Sequence, residues 1–140
     1  MILGDGGATF GLAWLAATGA LALHVADEAT HDFLSWYNPS ALRIRRWLHG
    51  FPFPPTFTFV PWLLALLAAV VLLAVLTPAA YRGAQWLRPF AYVLAAEHVG
   101  NGLLHLAGSV LAGRRVPGVL SAPVLVLTGG WLAYAVAHTA

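Results

Sequence analysis

The chain has 140 residues, of which 60% are hydrophobic and only 9% are charged. A soluble domain is typically about 45–50% apolar and about 25% charged, so this chain lacks the polar groups needed to cover a water-facing surface. The composition therefore excludes a soluble globular enzyme, a disordered tail and a nucleic-acid-binding module, and it predicts an integral membrane protein.

Four apolar segments follow one another, each close to the roughly 20 residues that a helix needs to cross a bilayer. We predict an all-α bundle of four transmembrane helices that forms a single domain over residues 1–140. The predicted spans are about 9–36, 57–77, 89–112 and 119–137. We expect the first span to end at Asn38-Pro39, because proline disfavours helical geometry in the preceding residue. The short segment 40–49 combines arginines with a tryptophan and is predicted to lie in the membrane interface.

The arginines indicate an orientation in the membrane. All seven cations are arginine, and they lie in the connections between apolar segments. Five are in the first and third connections and two in the second, so the positive-inside rule places the first and third connections in the cytoplasm. Both termini are then expected outside a bacterial-type inner (plasma) membrane. Such arginines contact anionic lipid headgroups, and the basic pI therefore does not indicate a nucleic-acid partner.

The first span carries a polar stripe in an otherwise apolar sequence. At about 100° per residue, His24, Glu28 and His31 fall within about 60° of one another on a helix, and Asp27 lies at the edge of the same face. The two histidines and two acids therefore point in one direction.

The third span repeats this arrangement. His98, Asn101 and His105 share one face, and Glu97 lies at its edge. In the predicted orientation both stripes occupy the inner half of the membrane, so we expect them to meet.

An acid at the centre of a spanning helix costs roughly 2.5–3.5 kcal/mol, so these acids must be paired, protonated, hydrated or bound to a cation. Inward-facing Glu and His are typical of metal sites in helical bundles, including the Glu-x-x-His spacing of Glu28 and His31. The sequence has no cysteine, which excludes thiolate ligands. Imidazole and carboxylate suit zinc or non-haem iron equally. The predicted ligands of this divalent metal ion are His24, Glu28, His31, His98 and His105, with Asp27, Glu97 and Asn101 as further ligands or hydrogen-bond partners of the imidazoles.

Three sequence elements resemble the HXXEE family of bacterial integral membrane proteins. His24-Val-Ala-Asp27-Glu28 resembles its first motif, Asn101-Gly-Leu-Leu-His105 its N-x-x-x-H element, and Pro117-Gly118 its P-G element before the last span. They occur in the family's order over most of the chain. Asp27 stands where the family has its first glutamate. The resemblance implies a membrane site at His24, Glu28, Asn101 and His105 and names no reaction.

The polar stripes are compatible with several functions. We favour a metal-dependent membrane enzyme, hydrolase or oxidoreductase, that acts on a lipid or other apolar substrate. A metal-ion or proton transporter, or an oligomerising transporter subunit, is the alternative, as is an accessory membrane protein whose stripes only pack helices. Haem between paired histidines is less favoured, because the clustered carboxylates add charge that such a cofactor does not need.

The predicted orientation can be tested with a reporter fused to the C-terminus. A C-terminal reporter of the kind that works only outside the cytoplasm is expected to show activity. Activity of a reporter that works only in the cytoplasm would contradict the arginine-based orientation.

Overall fold

The computed structural model describes the backbone of residues 5–139 and the side chains of residues 6–139. Within these residues the chain is all-helical, as predicted, and contains no strand. The 3-10 turn Gln85–Leu87 precedes the fourth helix. The helices are α1 (Asp5–Thr30), α2 (Phe33–Trp47), α3 (Phe59–Tyr81), α4 (Arg88–Ala112) and α5 (Ala122–Ala137).

Two helical segments, Gly6–Thr30 and Phe59–Tyr81, are long and apolar enough to cross a membrane. In the second, only 6% of the most apolar window is buried, so much of the apolar surface of α3 remains exposed. The helix α5 is apolar but has only 16 residues, and α4 carries ionisable groups along its length. Length and composition thus identify two candidate membrane spans among the described residues and do not confirm the four predicted.

The predicted first span, 9–36, does not form one helix. Helix α1 ends at Thr30, and Asp32 adopts a left-handed conformation (φ 55°, ψ 49°) before α2 begins. The His31 ring Nδ1 lies 2.8 Å from the Asp27 carbonyl oxygen, so the side chain forms a hydrogen bond with a carbonyl in the last turn of α1. The expected end at Pro39 is wrong, because this proline lies inside α2. The segment 40–49, predicted as interfacial, is mostly the second half of this helix.

Helix α1 lies at the centre of the fold. It packs against α3 and α5, whereas α4 packs mainly against α5 and touches α1 less extensively. The core combines large side chains of α1, such as Phe10 and Trp14, with alanines of α3 and α4. Such small residues let helices approach closely in membranes. The indole Nε1–H of Trp14 donates to the Leu73 carbonyl oxygen at 2.8 Å and ties α1 to α3.

Helices α4 and α5 are in contact at Gly102. A Cβ atom at this position would lie 2.7 Å from the Ala122 carbonyl oxygen and 2.7 Å from Val126 Cγ2. Only a glycine permits this separation without a shift of the backbone of α5. This α4–α5 contact also affects the polar side chains of α1, because Ser121, directly before α5, forms hydrogen bonds with His24 and Asp27.

Gly102→Ala is expected to lower the free energy of unfolding by about 0.5–2 kcal/mol, because the overpacking cost exceeds the gain in helix propensity. Gly100→Ala is the matched control, since a Cβ atom there meets no atom within 4 Å from other parts of the described chain. Thermal unfolding in detergent measures both. An equal effect of the two substitutions would contradict the close contact.

Candidate metal centre

His24, Glu28 and His105 converge at one point. Helix α1 presents His24 and Glu28 one turn apart, and α4 brings His105 against them. All three are buried, with exposed fractions of 1%, 4% and 3%. Glu28 Oε1 lies 3.4 Å from His24 Nε2 and 3.1 Å from His105 Nε2. One ligand atom from each residue lies within 4.8 Å of the others, so this group can hold a metal ion.

The two separations from Glu28 Oε1 are close to the ligand spacing of a tetrahedral ion. Ligand bonds of about 2.0–2.2 Å place neighbouring ligand atoms about 3.3–3.6 Å apart, close to the separations from Glu28 Oε1. Among the described residues, His24 Nε2 is also buried without a hydrogen-bond partner. An unsatisfied buried polar atom is costly, and coordination of a cation by this nitrogen would remove the cost.

The other nitrogen of His24 is held by Ser121, at the start of α5. The Ser121 hydroxyl donates to Asp27 Oδ2 at 2.8 Å, and the Ser121 backbone N–H donates to the same oxygen at 2.9 Å. Because the hydroxyl has a single proton, His24 Nδ1–H must donate to Ser121 Oγ, which is 2.8 Å away. The lone pair of His24 therefore lies on Nε2, which faces Glu28. A carboxylate that orients a ligating imidazole in this way is typical of metal sites.

Gly118 closes the site from the α4–α5 connection. Its φ is +86°, a conformation that side chains other than glycine rarely adopt. A Cβ atom there would lie 2.6 Å from His105 Cε1 and 2.9 Å from His24 Cε1. The backbone of this connection thus lies directly against both imidazole rings and leaves no room for a larger residue.

Aromatic side chains from α2 cover the other side of His105. The rings of Phe33 and Trp36 each lie 5.8 Å from the His105 ring, measured between centroids. A cavity of about 390 Å³ lies between α2 and α4, and His105 forms part of its wall. Of the three residues of the candidate metal centre, His105 thus lines an apolar cavity.

Two predicted ligands lie outside this group. The His31 side chain is 54% exposed, and its Nδ1 lies 2.9 Å from Asp27 Oδ1. His98 is fully buried, and its Nε2 lies 2.9 Å from the Ala17 carbonyl oxygen of α1. His98 therefore ties α4 to α1 and does not reach the other imidazoles.

Glu97 and Asn101 belong to the same second cluster as His98. His98 Nδ1 lies 2.8 Å from Glu97 Oε2, and the Asn101 amide donates to Glu97 Oε1 at 3.1 Å. His98 Nε2 faces the Ala17 carbonyl oxygen, and His98 Nδ1 faces Glu97 Oε2. Nε2 must therefore carry a proton, and a second proton is shared between Nδ1 and Oε2. Asp27, Glu97 and Asn101 were predicted as further ligands or hydrogen-bond partners of the imidazoles. Of these, only Asp27 is linked to the candidate metal centre, through Ser121.

Sequence reasoning did not assign a role to Ser121. Helical periodicity within a span cannot identify a residue that a turn brings in from another part of the chain. The only signal was its position after Pro117-Gly118, the element that carries part of the family resemblance.

Comparisons with models of known families, with characterised proteins and with solved structures found no match to this chain. We therefore infer the function from the geometry and chemistry of the site.

Ser121→Ala is expected to weaken metal binding by about 10–100-fold, because His24 loses the hydrogen bond that fixes its tautomer. Thr128→Ala is the control, since the Thr128 hydroxyl donates only to carbonyl oxygens of its own helix. Titration of metal-depleted protein with zinc measures both affinities. Equal affinities of the two variants would contradict the role of Ser121.

Proposed function

We propose that this chain is a four-span membrane protein of the HXXEE family and a metal-dependent enzyme that acts on a lipid or other apolar substrate. His24, Glu28 and His105 hold a divalent metal ion. The observation that carries the proposal is the convergence of these three buried groups beside an apolar cavity.

The number of ligands favours catalysis over a purely structural site. Structural zinc sites are closed by four protein ligands, whereas catalytic sites keep three and leave a position open. Within residues 6–139, the group comprises three potential ligands. When bound, the ion supplies a Lewis acid that polarises an oxygen of the substrate or activates water. Zinc supports hydrolysis and iron supports oxidation, and this ligand set suits either.

The chain's own residues supply orientation and exclude bulk water. Asp27 and Ser121 hold the His24 ring with Nε2 towards the shared centre. Phe33 and Trp36 shield His105 on its other side. A dry site strengthens electrostatic interactions, which is the condition under which a single metal ion acts most strongly.

The arrangement of helices supports the remaining two spans. Helices α4 and α5 pack against each other and contact α1, itself a candidate span. The histidines of α4 are buried, while its neighbouring apolar side chains, such as Leu104 at 70% exposed, face outwards. A helix that buries its histidines and exposes apolar side chains is suited to a lipid environment, and the 46% exposed Glu97 is an exception on this helix.

Metal analysis of protein purified without chelators tests the site. Wild type is expected to retain one zinc or iron per chain, and His24→Ala and His105→Ala are expected to lose it. His31→Ala is the matched control, because this exposed histidine lies outside the group. Wild-type protein without metal, or metal that persists in both site variants, would contradict the proposal.

Catalysis is tested with the metal-loaded protein and a membrane lipid extract, with products detected by mass spectrometry. A product formed by wild type and absent with His105→Ala supports an enzyme. Metal uptake into liposomes without any lipid product would instead support transport.

A further inference from the structure

The cavity between α2 and α4 is apolar along most of its length. It has a volume of about 390 Å³, within the range of small-molecule pockets, roughly 300–1,000 Å³. It extends along α4 from Asn101 to Leu111, about 15 Å at the helical rise per residue. Leu104 and Leu111, on its border, are 70% and 87% exposed. The cavity is therefore continuous with the apolar outer surface of the protein, and its shape suits an extended hydrocarbon chain.

A cation lies at the edge of this cavity. Arg45 Nε–H donates to the Pro54 carbonyl oxygen at 2.7 Å, and Pro54 lines the cavity. Burial raises the pKa of the cavity-lining Tyr37 phenol, and the charge of Arg45 opposes this rise. Within residues 6–139, all ion pairs involve histidine, and no carboxylate pairs with Arg45. Its positive charge is available to a ligand.

We infer that this cavity binds the acyl chain of an anionic lipid, with the charged headgroup at Arg45 and the chain running past His105. The inference rests on the proposed function and names its substrate class. An apolar cavity alone would accept any hydrocarbon, whereas an unpaired guanidinium at its edge selects a carboxylate or phosphate. The exposed Arg43 and Arg46 on the same helix add positive charge nearby.

Photocrosslinking tests the inference on the full-length protein in detergent. The probes carry a diazirine in the acyl chain, and they are a fatty acid, a phosphatidylglycerol and a zwitterionic phosphatidylcholine. Labelling by an anionic probe of peptides from α2 and α4 is expected, together with a several-fold loss on competition with the unlabelled lipid. Labelling by the fatty acid alone identifies a free acid as the ligand, and labelling by phosphatidylglycerol alone identifies a phospholipid. Equal labelling of these peptides by phosphatidylcholine would overturn the inference.

Two substitutions with matched controls locate the site. Ala107→Phe fills the cavity and is expected to reduce labelling several-fold, whereas Ala96→Phe, an exposed position of α4 outside the cavity, leaves it unchanged. Arg45→Gln is expected to reduce labelling about two- to fivefold, the size of an exposed ion pair, and Arg43→Gln has a smaller effect. Unchanged labelling with both Ala107→Phe and Arg45→Gln would overturn the inference, and competition on wild-type protein decides if either variant fails to fold.

Metal content measured on the same samples separates this inference from the proposed function. His24→Ala is expected to lose metal and to keep labelling, because this residue does not line the cavity. Metal without anionic labelling would overturn only the lipid site. Labelling without metal would overturn the metal centre and leave a lipid-binding cavity.

Discussion

A carboxylate buried among apolar helices is the constraint on which this structure depends. Glu28 is 4% exposed, and an isolated ionised carboxylate in such surroundings costs several kcal/mol. No arginine reaches it within residues 6–139, and its ion-pair partners there are the imidazoles of His24 and His105. If Glu28 is ionised, the compensating positive charge comes from protons on these rings or from a cation shared by all three groups. A shared cation would also give a partner to His24 Nε2, which has no hydrogen-bond partner among the described residues.

This requirement explains why three helices meet at one level. Helix α1 supplies the carboxylate, α4 supplies the second imidazole, and the start of α5 supplies the serine that orients the first. Gly102 allows α4 and α5 to approach, and Gly118 allows their connection to contact both rings. Gly102 and Gly118 thus affect both the packing and the site. A bulkier residue at either position would push the contacting segments apart and move His105 away from Glu28.

The sequence predicted the all-helical class and the meeting of the two polar stripes, because both follow from helical periodicity and from the cost of buried acids. His24, Glu28 and His105 were among the predicted ligands for this reason. The same reasoning could not place His31, because the 100° rule applies only while the helix continues, and α1 ends at Thr30. It could not separate His98 from His105 either, since the partner of each is a feature of another helix. For His98 that partner is a backbone carbonyl, which no side-chain pattern reveals.

The break after Thr30 has two consequences that belong together. It removes His31 from the polar face of α1, and it redirects the chain so that Phe33 and Trp36 pack against His105. A continuous helix over 9–36 would have carried these aromatic residues onward along α1, beyond the site. The left-handed Asp32 instead separates α2 from α1, and residues of α2 and α4 line the apolar cavity. The local conformation that takes His31 out of the ligand group thus also places α2 beside His105, which lines the apolar cavity.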